Sequence, residues 1–329
     1  MDIINFHVVV SKQTIPYFQY QIENVRHTSD KPDRVFFYCY ALDQETWETF
    51  SACPWVVKSM PVYLHNWAYR KKTIGEWRIF LTWIFMRKPE LAGSNGHAAG
   101  LAGMSKTMPH ISGHHVIADV DTMMLKGGWD TKLCDMFDDY DLIGAPYEPI
   151  GGFSSGSATV QTYKNFPTAV WVALKKDHPW QEVNWWPEKE TNIAITSKKL
   201  SEIYNLPDGY EVVRDVGWHL CSFSYEKGYQ ALAFEHVKPS SNRVKVLKTN
   251  TDYNEEYQLE GEAWVGHQRG SSRNPFRRTD LSINFFNEVE GAVGIPASLN
   301  WTAPEVGLKA KLNRYRGFVK SRIKRSGNG

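Results

Sequence analysis

The sequence predicts an α/β fold: a mostly parallel central sheet flanked by helices, then a C-terminal extension ending in a basic amphipathic helix. Three observations lead there. Short β-rich apolar runs alternate with segments of helical period over residues 1–236, the pattern of parallel strands joined by crossover helices. One apolar run, "HVIADVDTMML" (115–125), is broken twice by aspartate, at Asp119 and Asp121, where a buried strand would end. Residues 309–325 carry eight Lys or Arg and no acid.

Taken in order, "NFHVVVSK" (5–12) reads as a first strand and "IPYFQYQIENVRHTS" (15–29) as a helix opened by Pro16. "DRVFFYCYALD" (33–43) is a second strand and "WVVKSMPVY" (55–63) a third. Residues 75–88 have helical spacing and stop at Pro89. The small residues of 96–107 predict a helix packed tightly on the sheet, and 114–120 the strand after it. "GGWDTKLCDMF" (127–137) predicts a helix, "DYDLIGAPY" (139–147) a strand, and "GGFSSGSATV" (151–160) a loop entering a strand. Residues 165–176 and 191–205 read as helices, and 210–236 as a helix ending near Gly228 followed by a strand. Beyond about residue 240 the chain turns polar and irregular until the basic end.

Composition narrows the class. A chain of 329 residues that is 42% hydrophobic and 22% charged buries a sizeable core and is not disordered. Its four cysteines, Cys39, Cys53, Cys134 and Cys221, form no CxxC pair and read as reduced thiols of a cytoplasmic chain. The start "MDIINFHVVV" lacks a basic n-region, and "IFLTWIFM" (79–86) is too short to span a bilayer. The expectation is therefore a soluble protein, at most peripherally bound to a membrane. The net charge of +2 hides an asymmetry, because outside the basic tail 30 basic residues face 36 acidic ones.

Two aspartates at i and i+2 on a strand project to one face. At the C-terminal end of a strand in an α/β sheet they can share a hard divalent cation, Mn²⁺ or Mg²⁺, whose other ligands are phosphate oxygens. The same pair would also serve as a solvated turn. Downstream, "WVGHQRGSSR" (264–273) places His267 beside Arg269, Ser271, Ser272 and Arg273. An imidazole, two guanidiniums and a small-residue loop can wrap a diphosphate. His236 competes for the imidazole role but reads as structural. Trp185, Trp186 and Trp218 are either sugar-stacking platforms or core.

With an apolar strand before it and "MMLKGGWDTKL" after it, Asp-Val-Asp resembles the strand-end motif of the GT-A class of nucleotide-sugar glycosyltransferases, particularly its family 2-like and viral or phage members. "SNGHAAGLAGMSK" resembles that class's Asn-Gly helix, with Asn95 and Gly96 in place and Ala102 where a second Asn is usual. The resemblance covers residues 1–236 as a pattern. It implies a GT-A catalytic domain over 1–236, with 1–125 binding a nucleotide-diphosphate sugar and 126–236 the acceptor, and 237–329 as an extension. Ser11, Asp43 and Asn95 would lie on the nucleotide side. Asp119 would face ribose or sugar, Asp121 would hold the metal, and His267 would be the third ligand. The catalytic base would be Asp215, in "RDVGWHL", although Arg214 stands where the class has an acid. Its alternative role is a helix N-cap. Glu190 is the reserve base.

In the tail, Leu308, Leu312, Tyr315, Val319 and Ile323 form one apolar face amid basic residues. It can pack on the acidic body, lie on an anionic membrane, or track a phosphate backbone. The acceptor is accordingly a glycan or lipid-linked glycan, or, for a phage-type enzyme, DNA carrying hydroxymethylated bases. A non-catalytic nucleic-acid or membrane-surface binding protein is the reading from another class.

Overall fold

The computed structural model describes residues 2–62, 94–107, 110–146, 150–152, 157–160, 166–185, 211–214, 216–237, 245–249, 254–268 and 279–295. In chain order the strands are β1 (Ile4–Val10), β2 (Val35–Ala41), β3 (Val56–Pro61), β4 (His114–Ala118), β5 (Thr122–Met124), β6 (Leu142–Pro146) and β7 (Ile150–Gly152). They continue with β8 (Ser157–Val160), β9 (Pro167–Leu174), β10 (Glu211–Arg214), β11 (Ala231–Ala233), β12 (Glu235–Val237), β13 (Asn254–Leu259) and β14 (Glu262–Gln268). The helices are α1 (Ile15–Thr28), α2 (Gln44–Ser51), α3 (Ser94–Thr107), α4 (Trp129–Met136), α5 (Trp218–Glu226) and α6 (Thr279–Val293).

The centre is a seven-stranded sheet in the order β11-β6-β9-β4-β1-β2-β3. The pairs β1–β2, β1–β4, β2–β3 and β6–β11 are parallel, and β9 runs antiparallel to both β4 and β6. Every residue of β1 is buried, because parallel strands are covered on both faces, and its two polar residues are bonded inside: Asn5 donates to Ser112 O at 2.9 Å and His7 Nδ1 lies 3.0 Å from the Tyr40 hydroxyl. On one side, Phe6, Val8 and Phe37 pack against Phe18 and Val25 of α1, Phe50 of α2 and Trp129 of α4. On the other, Val9, Tyr40 and Ile117 pack against Ala98, Leu101 and Met104 of α3 and Leu220 of α5. The expected α/β architecture, mixed and mostly parallel, is therefore present.

Gly100 shows why α3 is built from small residues. A Cβ placed there would lie 2.4 Å from Val9 Cγ2, so the helix rests on β1 at a distance only glycine allows.

Two sequence expectations are corrected. Residues 167–174 form a strand, not part of a helix. β9 is central and almost wholly buried, so its Ala-Val-Trp-Val-Ala-Leu run shows no alternation, and periodicity alone cannot separate it from a buried helix. The stretch after residue 240 is not irregular throughout, since β13 and β14 form a hairpin through a Glu260-Gly261 turn with both residues at positive φ. This hairpin joins β12 and β5 in a second sheet, ordered β12-β13-β14-β5, and sends Tyr257, Trp264 and Val265 into the core that holds Phe6. Its polarity misled because the polar residues are bonded inside: Glu256 accepts the N–H groups of Val246 and Leu247 at 2.8 and 2.9 Å. A third sheet, ordered β10-β8-β7, is built partly from the Gly/Ser-rich segment. The expected helices at 75–88 and 191–205 and the basic tail lie outside the described residues.

Candidate metal centre

Because β1, β2 and β4 pair in parallel, their C-terminal ends share one edge of the sheet, where open α/β folds bind ligands. Ser11, Asp43 and Asp119 follow those ends. Asp43 caps α2, accepting the Thr46 N–H at 2.9 Å, and its other oxygen accepts the Lys12 N–H at 2.6 Å. It thereby braces the loop after β1. Ser11 closes a tight turn there, receiving the Thr14 N–H on its carbonyl at 2.8 Å. Asn95 lies in the first turn of α3.

The Asp-Val-Asp stretch is a turn between β4 and β5. The Asp119 N–H extends the β4–β9 ladder by donating to Val170 O at 2.7 Å. The Asp119 carbonyl accepts the Thr122 N–H at 3.1 Å and the Thr122 hydroxyl at 2.7 Å. Two buried amides of α1 hold the turn from below. Gln21 donates to the carbonyls of Asp119 and Thr122 at 2.9 and 2.8 Å. Asn24 pairs with both backbone groups of Met124, donating to its carbonyl at 3.0 Å and accepting its N–H at 2.7 Å.

His267 reaches this turn through the second sheet, where it stands opposite Thr122 of β5 and Glu255 of β13. Its Nε2 lies 3.4 Å from Asp121 Oδ1 and 3.9 Å from Asp119 Oδ2, and its Nδ1 lies 3.0 Å from Glu255 Oε2. Glu255 also accepts the Tyr257 hydroxyl at 2.9 Å. His97 of α3 meets the other Asp119 oxygen, with Nε2 3.2 Å from Oδ1. The cluster has a closed and an open side: the side chains of Asp121 and His267 are each 9% exposed, that of Asp119 24%. Burial alone would lower the His267 pKa, but the carboxylates of Asp121 and Glu255 outweigh it and raise it to about 10.

Asp119, Asp121 and His267 each offer one donor atom, and the three lie within 4.8 Å of one another. An octahedral ion about 2.1 Å from its ligands separates opposite donors by about 4.2 Å, so shifts of about half an ångström close the set on a cation. Two carboxylates and one imidazole fit Mn²⁺ well and Mg²⁺ acceptably. With three protein donors, a six-coordinate ion keeps positions for phosphate oxygens or water.

The sequence-derived residues divide accordingly. Asp119, Asp121 and His267 converge. Ser11 and Asp43 stand on the same sheet edge, engaged in turn and cap. Asp215, Glu190, Arg269, Ser271, Ser272 and Arg273 lie outside the described residues. β14 ends beside the metal group, where the Gln268 N–H donates to Asp121 O at 3.0 Å. His236 stands outside the triad, 3.6 Å from Glu255 Oε1. Trp185 and Trp218 are buried, which favours packing over stacking, and Trp186 lies outside the described residues. Sequence reasoning missed His97, Glu255, Gln21 and Asn24. The one available signal was Glu260-Gly261, a hairpin turn nearly midway between Glu255 and His267.

No family model matches the chain, and no curated protein matches it. Among solved structures, a mannosyltransferase from Pyrobaculum calidifontis, in complex with GDP-Man and Mn²⁺, is similar at 10% identity and TM-score 0.34, over 70% of this chain and 66% of its own. A nucleotide-diphospho-sugar transferase from Desulfovibrio desulfuricans is similar at 12% identity and TM-score 0.30, over 66% and 83%. Mouse xyloside xylosyltransferase 1 is similar at 11% identity and TM-score 0.32, over 70% and 85%. At these values the likeness decides nothing about the site, whose chemistry stands on its own geometry. Among the described residues no helix is long and apolar enough to cross a membrane.

Proposed function

We propose that the protein is a metal-dependent glycosyltransferase, moving a sugar from a nucleotide-diphosphate donor to an acceptor hydroxyl of a glycan or lipid-linked glycan. The observation that carries this reading is the convergence of Asp119, Asp121 and His267 at the C-terminal edge of the parallel strands. Those three residues would hold Mn²⁺ or Mg²⁺, which when bound neutralises charge on the departing diphosphate. Asp119, on the open side, also faces ribose or sugar. Ser11, Asp43 and Asn95 border the nucleotide, and Arg269, Ser271, Ser272 and Arg273 grip the diphosphate with guanidinium and backbone donors. Asp215, with Glu190 as reserve, takes the proton of the acceptor hydroxyl. Attack from the face opposite the leaving group then inverts the sugar. Residues 1–125 serve the donor, 126–236 the acceptor, and 237–329 complete the metal group through His267.

The test is thermal unfolding with UDP or GDP and Mn²⁺, followed by a hydrolysis screen over nucleotide sugars. A nucleotide should raise the melting temperature only with Mn²⁺, and Asp121→Ala should abolish the gain. If neither nucleotide stabilises the protein and no donor is hydrolysed, the proposal fails.

A further inference from the structure

Glu255 is a buried carboxylate away from the turn that carries the two aspartates, and it touches the far side of the imidazole that completes their group. We propose that Glu255 is a positioning residue that fixes His267 as its Nδ1–H tautomer and so presents the Nε2 lone pair to the cation. This deepens the transferase reading and rests on it.

The argument begins with the ladder. Glu255 and His267 are directly paired across β13 and β14, so their side chains leave the same face of the sheet. A neutral imidazole carries one N–H, and its location is set by what the other nitrogen meets. Here Nδ1 meets Glu255 Oε2 at 3.0 Å, an acceptor with no proton to give, while Nε2 points at Asp121 and Asp119. With the proton held at Nδ1, Nε2 is the ligating atom. The carboxylate also strengthens Nε2 as a donor.

Glu255 is itself held. Tyr257, two residues along the same face, donates its hydroxyl to Oε2 at 2.9 Å, and His236 of β12 lies 3.6 Å from Oε1. The carboxylate therefore cannot swing away from His267 without breaking the Tyr257 bond. A stack of three strands thus aims one imidazole at the β5 end, which explains why the Glu255 carboxylate is buried there.

The experiment measures the affinity of the full chain for Mn²⁺ alone, from the electron paramagnetic resonance signal of free Mn²⁺, at several pH values. Glu255→Gln should weaken binding 10- to 100-fold. Its amide can present N–H to Nδ1 and so favour the other tautomer. Glu255→Asp should recover part of the loss, and Tyr257→Phe should weaken binding less than Glu255→Gln does. A long-range ¹⁵N spectrum of the Zn²⁺-loaded protein should show the His267 proton on Nδ1 in wild type and not in Glu255→Gln. Unchanged affinity in Glu255→Gln, in a sample where Asp121→Asn loses binding, would overturn this role while leaving the metal group intact. If Glu255→Gln does not fold, Tyr257→Phe decides, and unchanged affinity there counts against the proposal. Failure of the wild-type chain to bind Mn²⁺ at all would instead defeat the underlying reading.

Discussion

The Gln268 N–H donates to the Asp121 carbonyl at 3.0 Å, extending the β5–β14 ladder one step into the aspartate turn. Through that backbone contact a residue 147 positions further along the sequence becomes a neighbour of the strand-end aspartates. His267 is placed by sheet register, and sheet register is rigid, since a slip of one residue would turn its side chain to the other face.

The triad should therefore act as a unit. Asp121→Asn and His267→Ala should each remove most of the stabilisation that Mn²⁺ gives, whereas wild type should gain about 2.7 kcal/mol at a metal concentration 100 times Kd. Urea unfolding with and without Mn²⁺ reads this directly. Equal metal stabilisation in His267→Ala and wild type would exclude His267 as a ligand.

The turn depends on α1 from below. Asn24→Ala would strip partners from the N–H and carbonyl of Met124, both buried. Each orphaned backbone group costs about 1–3 kcal/mol, and β5 should loosen with it. Lower stability together with weaker Mn²⁺ binding is expected. Full metal affinity in a destabilised Asn24→Ala protein would show that the turn keeps its shape unaided.

How much was legible follows from how local each signal is. The first strands and α3 were read because apolar runs and small residues announce buried neighbours without reference to distant chain. The aspartate pair was read because two charges ending an apolar strand call for a cation or for solvent. β9 was not, because a strand buried on both faces loses the alternation that marks strands. The Glu255–His267 contact was not, because it exists only once the Glu260-Gly261 hairpin sets its register. His97 was hidden for a related reason, since its place beside Asp119 depends on the packing of α3 across β1.

That packing gives a third prediction. Gly100→Ala places a methyl against Val9 and should cost about 1–3 kcal/mol by overpacking. Val9→Ala in the same chain should recover much of the loss, although alone it is destabilising. The check is a double-mutant cycle in urea, and additive losses would mean that α3 shifts away instead of clashing.

Stability should fall with acid from three buried histidines. Burial, with His115 adding to it, holds His7 well below the ordinary histidine value. Burial lowers His115 to about 4, with His114 adding to it, and lowers His178 to about 4 against a small opposing pull from Asp141. Between about pH 6.5 and 4 the unfolded chain binds protons at these sites that the folded chain does not. Each site then removes about 1.4 kcal/mol of stability per pH unit as pH falls through that window. His267 runs the other way in metal-free protein: its raised pKa makes its contribution complete below about pH 6.5 and lost as pH climbs toward 10. Urea midpoints in EDTA should thus decline from pH 7 to pH 5 and again above pH 8. His178→Gln, which removes one titrating group near Ser224, should flatten the acid limb, and an unaltered acid slope would mean that His178 takes up its proton while folded.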